Sequence, residues 1–249
     1  MIRIDPRNAT AQRHADALAT AMPEGWTHDD VVLVFGGDGF LLQVVQELGF
    51  GKTYLGVNAG RIGFLLNDVD DFSAVAAQLR RGAWKTYRFP VLEAVATDVD
   101  GQVHRLHAVN DVVLDRATGQ TAHLGLRIGG RTLVETLVAD GVIVSTALGS
   151  TAYTFSAGGP ACHPSLEVLA VTAICPHKPR LSPFLLPLDA TIEVEAQSVD
   201  RRPVRLLTDG RQLDAVVTLS VTAGAERVAV AWLDGHDHTA RMVGKILRA

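Results

Sequence analysis

The sequence predicts two domains of different class: an α/β domain built on a parallel sheet, then an all-β, sandwich-like domain. Before Arg88, short unbroken apolar runs alternate with stretches of helical periodicity. Beyond it the apolar period falls to two, and turn pairs punctuate the chain at Asp100-Gly101, Gly129-Gly130 and Asp209-Gly210. A length of 249 residues with 47% hydrophobic content is enough to bury a core in such an arrangement.

From residue 10 to 22, Ala15, Leu18, Ala19 and Met22 fall at helical spacing, and Pro23-Glu24-Gly25 ends the run. Little strand is expected before Val31. Val31 to Phe35 is an unbroken apolar run between Asp30 and a glycine pair, the pattern of a parallel strand covered on both faces. After the glycine turn, Phe40, Leu41, Val44, Val45 and Leu48 predict a helix, and Tyr54 to Val57 a second strand. A further amphipathic helix carries Phe72, Val75, Ala76 and Leu79 on one face. These elements predict a Rossmann-like parallel sheet over residues 1–89, and residues 90–235 form the β-rich domain. No fixed-period repeat interrupts either part.

A net charge of −4 gives no support to wholesale binding of nucleic acid or anionic membrane. Cys162 and Cys175 are too few for a disulfide framework and fit a reducing compartment. The first residues lack an apolar signal core, and no run of about 20 apolar residues exists for a membrane span, so a cytoplasmic location is expected. Asp234 to His238 reads as a solvated turn, Arg201-Arg202 as a hairpin tip, and Trp26, Trp84 and Trp232 as packing residues. A zinc site from Cys162-His163 and Cys175-Pro176-His177 is not expected, because the spacing is irregular.

Two segments carry chemistry. Gly36, Gly37, Asp38 and Gly39 lie between the carboxyl end of a parallel strand and a helix start, where ligands bind in α/β sheets. Glycines there permit positive φ and a close backbone approach to an anion. Asp38 fits two readings: a general base beside a phosphate, or a turn residue capping the helix. The second segment, Ala139 to Pro160, concentrates small residues and hydroxyls after the strand Val142 to Val144. It suits a nucleoside, and a serine-rich connecting loop would read the same way. A Walker A loop is excluded at Gly49 to Thr53, because Gln46 occupies the required first glycine position, and no GxGxxG follows a strand.

GGDG at 36–39, LGVNAGRIGFL at 55–65, NDVVL at 110–114 and STALGSTAYTFSAGGP at 145–160 together resemble the NAD kinases. The resemblance continues through CPHKPRLSPFLLP at 175–187, Asp209-Gly210 and the closing RMVGKIL, so it covers almost the whole chain. It implies phosphorylation of the adenosine 2′-hydroxyl of NAD, with residues 236–249 packing back on the first domain. Asp38 then matches the proton acceptor, with Gly39 beside it at the substrate. Asn110 and Asp111 match an Asn-Glu pair that holds ribose hydroxyls, and Asp140 an acid near the nicotinamide end. Thr151, Ala152, Tyr153 and Ser156 match the stretch against the adenine and its ribose. ATP with Mg²⁺ or another divalent metal, or polyphosphate, would lie against Gly36, Gly37 and the turn of Asn58, Gly60 and Arg61. A homodimer or homotetramer is implied.

Leu148 stands where the family has Thr, and Val138 where a basic residue is common. These departures keep open a catalytically silent dinucleotide-binding regulator, and GGDG alone is shared with diacylglycerol-type lipid kinases.

Overall fold

The computed structural model describes residues 1–60 and 63–246, and the chain forms two compact units. One consists of Met1–Phe89 with Glu226–Ala249, the other of Pro90–Ala225.

The first unit opens with β1 (Ile2–Ile4), α1 (Ala9–Ala21), β2 (Val31–Gly36), α2 (Asp38–Leu48), β3 (Thr53–Asn58), β4 (Leu66–Asn67) and α3 (Phe72–Arg81). β1 pairs with β2, β2 with β3 and β3 with β4, all parallel. Every residue of β2 is buried, which is why its sequence is apolar without alternation. β1, three residues long, is the little strand that precedes Val31. Three residues interrupted by Arg3 leave no readable period, yet the Leu33 N–H reaches the Met1 carbonyl and registers the strand against its neighbour. Asn8 caps α1 by accepting from Thr10 and Ala11, and Asp71 caps α3 by accepting from Ser73 and Ala74. Leu18, Val75 and Leu79 meet Leu33, Phe35, Leu55 and Val57 in the core, with Trp26 and Trp84 packed against it.

The second unit is antiparallel throughout. One sheet contains β8 (Ala122–Ile128) between β9 (Arg131–Ala139) and β13 (Ile192–Ala196), with the start of β16 (Val216–Leu233) beyond. The hairpin of β5 (Trp84–Asp98) and β6 (Val103–Ala108) belongs to the same side. The other sheet runs β12 (Phe184–Pro187), β11 (Val168–Ile174), β10 (Gly141–Thr146), β7 (Asp111–Arg116), β14 (Val204–Thr208) and β15 (Arg211–Leu213). Leu114, Val142, Val144, Val171 and Leu206 from this sheet meet Leu124, Leu126 and Val194 from the first in one sandwich core.

The three predicted turn pairs sit at tips, joining β5 to β6, β8 to β9 and β14 to β15. Arg201-Arg202 does not: it links β13 to β14, which belong to different sheets, and Arg202 donates to the Thr121 carbonyl at 2.6 Å. Two adjacent arginines look alike at a hairpin tip and at a crossover.

β16 explains how the chain returns. Its early residues pair antiparallel with β13, whereas Ala229 and Val230 pair parallel with Thr53 and Tyr54 of β3. The return therefore starts at Glu226 instead of residue 236, because Val228 to Leu233 form a fully buried stretch suited to a parallel sheet. α5 (His238–Ile246) follows. The turn before it is packed and not simply solvated: the rings of His236 and His238 lie 4.9 and 4.3 Å from Trp232, itself 1% exposed. Burial pushes His236 down to about 3, and the neighbouring His238 and Arg241 add to the effect.

Candidate functional site

In the first unit the candidate centre is the β2–α2 junction. Gly37 is the N-cap residue and Asp38 already belongs to the helix, so Asp38 is not its cap. Its carboxylate is used elsewhere: Oδ1 and Oδ2 accept from the Phe64 N–H at 3.0 and 2.8 Å, and Oδ1 from the Leu65 N–H at 2.9 Å. A segment 26 residues downstream thus orients the acid from outside its own turn. None of the three GGDG glycines has positive φ. Gly36 is required by contact, since a Cβ there would lie 2.8 Å from the Phe40 ring, while one at Gly37 or Gly39 would meet nothing within 4 Å. Backbone N–H groups at a helix start beside open space are what an anionic group needs.

The Asn58–Gly60 turn is tied to the same junction. The Ala59 N–H reaches the Gly36 carbonyl at 2.8 Å, and Asn58 Oδ1 accepts from the Gly60 N–H at 2.9 Å. Asn58 Nδ2 donates to Asp68, which also pairs with Arg241 at 2.6 Å. Arg61, the remaining residue assigned to this turn, lies outside the described residues. Buried Asn67, which sequence reasoning missed, donates to the Gly56 carbonyl and accepts from the Leu233 N–H, clasping β3 to the end of β16.

In the second unit the predicted residues gather on one face of the sheet that contains β7 and β10. Period two puts Asp111, Val113 and Asp115 on the face opposite the sandwich core, in register with Ser145, Ile143 and Gly141 of β10. A single 3₁₀ turn, Gly149–Thr151, and the short helix α4 (Tyr153–Ser156) bring Thr151, Ala152, Tyr153 and Ser156 there, with α4 packed on β10 and β11. The segment that connects β10 to β11 thus contains one 3₁₀ turn and one short helix. Thr151 is buried, whereas Tyr153 and Ser156 are exposed. The hydroxyls of Ser145, Thr154 and Thr172 are buried without a hydrogen-bond partner among the described residues, and a bound water would satisfy such groups.

The electrostatics of this face are acidic. Burial first, and the charge of Asp209 second, push the Asp111 carboxyl up to about 7, partly countered by the Tyr153 N–H. Burial also raises the Tyr153 phenol, aided by Asp115, Cys175, Asp140 and Asp111. Asp140 forms an ion pair with Arg116 at 3.0 Å, and Asp115 a two-pronged pair with Arg205 at 2.8 and 3.1 Å. Asp140 thus enters any ligand contact already partnered. Cys162 is buried and Cys175 exposed. Among the described residues, no three His, Cys, Asp or Glu side chains converge to hold a metal.

Three residues that lie in motifs or turn pairs of the sequence, without a role assigned to them there, organise the backbone of this face. Thr146 Oγ1 donates to the Val109 carbonyl and accepts from the Gly149 N–H. Gly149 lies so close to Asn110 that a Cβ there would sit 2.1 Å from its carbonyl oxygen. Asp209 accepts from the N–H groups of Val109 and Asn110 at 2.5 and 3.1 Å.

A model of the ATP-NAD kinase C-terminal domain matches residues 109–231. An NAD kinase of Hyphomonas neptunium is 36% identical over 210 residues, covering 83% of this chain and 81% of that protein. One of Rhizobium meliloti is 34% identical over 235 residues, 92% and 89% of the two chains. In fold, the chain is similar to yeast NADH kinase complexed with NADH, at TM-score 0.82 and 21% identity over 99% of this chain and 87% of that one. It is similarly close to an NAD kinase from Archaeoglobus fulgidus in complex with ATP, at TM-score 0.80 and 22% identity over 100% and 98%.

Proposed function

The chain belongs to the NAD kinase family, and on that premise we propose that it transfers the terminal phosphoryl group of ATP to the 2′-hydroxyl of the adenosine ribose of NAD, giving NADP. Membership sets aside the lipid kinase alternative. The observation that supports the reading most directly is Asp38, a carboxylate at a helix start beside open glycines, oriented by the Phe64 and Leu65 N–H groups.

Phosphoryl transfer asks for alignment and charge stabilisation more than covalent chemistry. Asp38 accepts the ribose proton as the bond from the 2′-oxygen to phosphorus forms and the bond to the ADP oxygen breaks. Gly39 leaves room for the ribose. Asn110 and Asp111 hold ribose hydroxyls, Thr151, Ala152, Tyr153 and Ser156 take the adenosine, and Asp140 serves the nicotinamide end. Gly36, Gly37, Asn58, Gly60 and Arg61 receive the donor phosphates, and polyphosphate is the second candidate donor. Mg²⁺ or another divalent metal supplied with ATP would neutralise charge on the leaving group. A cytoplasmic location and a homodimer or homotetramer complete the proposal. Two unpaired cysteines agree with the first, and among the described residues no helix is long and apolar enough to cross a membrane.

The test is NADP formation from NAD with ATP and Mg²⁺, wild type beside Asp38→Asn. Product from the wild type and almost none from the variant, with NAD still bound, supports the reading. No wild-type product with ATP or polyphosphate overturns it in favour of a silent dinucleotide binder.

A further inference from the structure

Asn110 and Asp111 are partly buried side chains whose position depends on the main chain that carries them. Among the described residues, Oδ1 of Asn110 is buried without a partner, so that oxygen does not anchor its own residue. Three elements fix the backbone instead. Thr146 on β10 holds the Val109 carbonyl, Gly149 packs directly on the Asn110 carbonyl, and Asp209, in the left-handed conformation (φ 42°) at the β14–β15 turn, takes the N–H groups of Val109 and Asn110. Of the three, only the Asp209 contact is charged. It brings a second carboxylate beside Asp111, and that proximity is one of the causes of the raised Asp111 pKa. A neutral acceptor would avoid the repulsion. The charge-assisted bonds from two consecutive N–H groups give a tighter hold on the chain than a neutral acceptor would.

We infer that Asp209 is a positioning residue for dinucleotide binding: it fixes the Val109–Asn110 main chain so that Asn110 and Asp111 meet the ribose in one geometry. This rests on the NAD kinase reading and adds a residue that need not touch the substrate. It predicts a selective effect. Losing the clasp loosens the grip on NAD, while ATP, assigned to residues of the first unit, is handled as before.

The experiment uses the full chain as wild type, Asp209→Ala and Asp209→Asn. NAD is varied at saturating ATP, ATP at saturating NAD, and the NAD Kd is measured by calorimetry. Asp209→Ala is expected to raise the NAD KM and Kd about tenfold or more, with the ATP KM within about twofold of wild type. Asp209→Asn keeps one acceptor oxygen in the same shape and is expected to recover part of the loss. It also serves if the alanine variant fails to fold. Wild-type KM and Kd for NAD in folded variants would overturn the inference, as would equal rises for both substrates or a fall confined to kcat. A wild type that binds NAD but makes no NADP would overturn the kinase reading alone, since the Kd comparison still decides on Asp209. A wild type that does not bind NAD would overturn both.

Discussion

The glycine-rich turn at 36–39 and the glycine-rich segment at 145–160 are similar as text and opposite as structures. In the first, Gly37 and Gly39 leave open space, and the Asp38 carboxylate is oriented by N–H groups from residues 64 and 65. In the second, space is used up: Gly149 presses on Asn110, and the hydroxyls around it are buried. Small residues in the first leave space unfilled, and Gly149 in the second lets two pieces of backbone touch.

The largest effect that can sharpen this contrast is on chemistry. Asp38→Asn should lower turnover by about 10² to 10⁴, the range for loss of a general base, while thermal unfolding and NAD Kd stay near wild type. A fall in stability comparable to the fall in rate would make Asp38 a structural residue and erase the difference between the two regions. Gly149→Ala should act the other way. Its Cβ has no space against Asn110, so about 2–4 kcal/mol of stability should be lost, read by denaturant unfolding, with NAD binding weakened in parallel.

pH separates the regions further. The native Asp111 carboxyl keeps a proton that the unfolded chain releases, because its value rises from 3.8 to about 7. Stability contributed by this group therefore falls as pH rises from about 4 to about 7, and the full penalty applies above that window. Asp111→Asn should leave unfolding unchanged at pH 4 and stabilise the protein at pH 8 by up to a few kcal/mol. Equal shifts at both pH values would break the assignment. The smallest effect is expected at Gly39→Ala, in the first turn of α2 with nothing in the way. The helix should gain about 0.5 kcal/mol in stability while NADP formation drops, because the methyl group takes substrate space. Full activity in that variant would show that the open space is not used.

Much of the fold was legible because burial leaves a period in the chain. Val31 to Phe35 reads as a doubly covered strand, and the turn pairs at 100–101, 129–130 and 209–210 mark the tips that the structure has. β1 was not legible, since three residues carry no period and the strand exists only through its partner β2. The turn at 234–238 is polar in sequence and sheltered in space, because Trp232 supplies a surface for both imidazoles. The site divided in the same manner. Asp38 could be named as a candidate from its glycine turn, and Asn110, Asp111 and Tyr153 from the resemblance to the NAD kinases. Asn67, Thr146 and Asp209 could not be given roles, because their partners are backbone groups far away in sequence.

The sequence by itself determined the order of an α/β and an all-β part and the family, because each is written in local composition, periodicity or motif. Only the tertiary structure decided which atoms hold the candidate residues. The N–H groups that aim Asp38 lie 26 and 27 residues away, and those bound by Asp209 lie 100 and 99 residues away. Backbone N–H groups are the same in every residue but proline, so nothing in the sequence distinguishes the ones that end up facing a carboxylate.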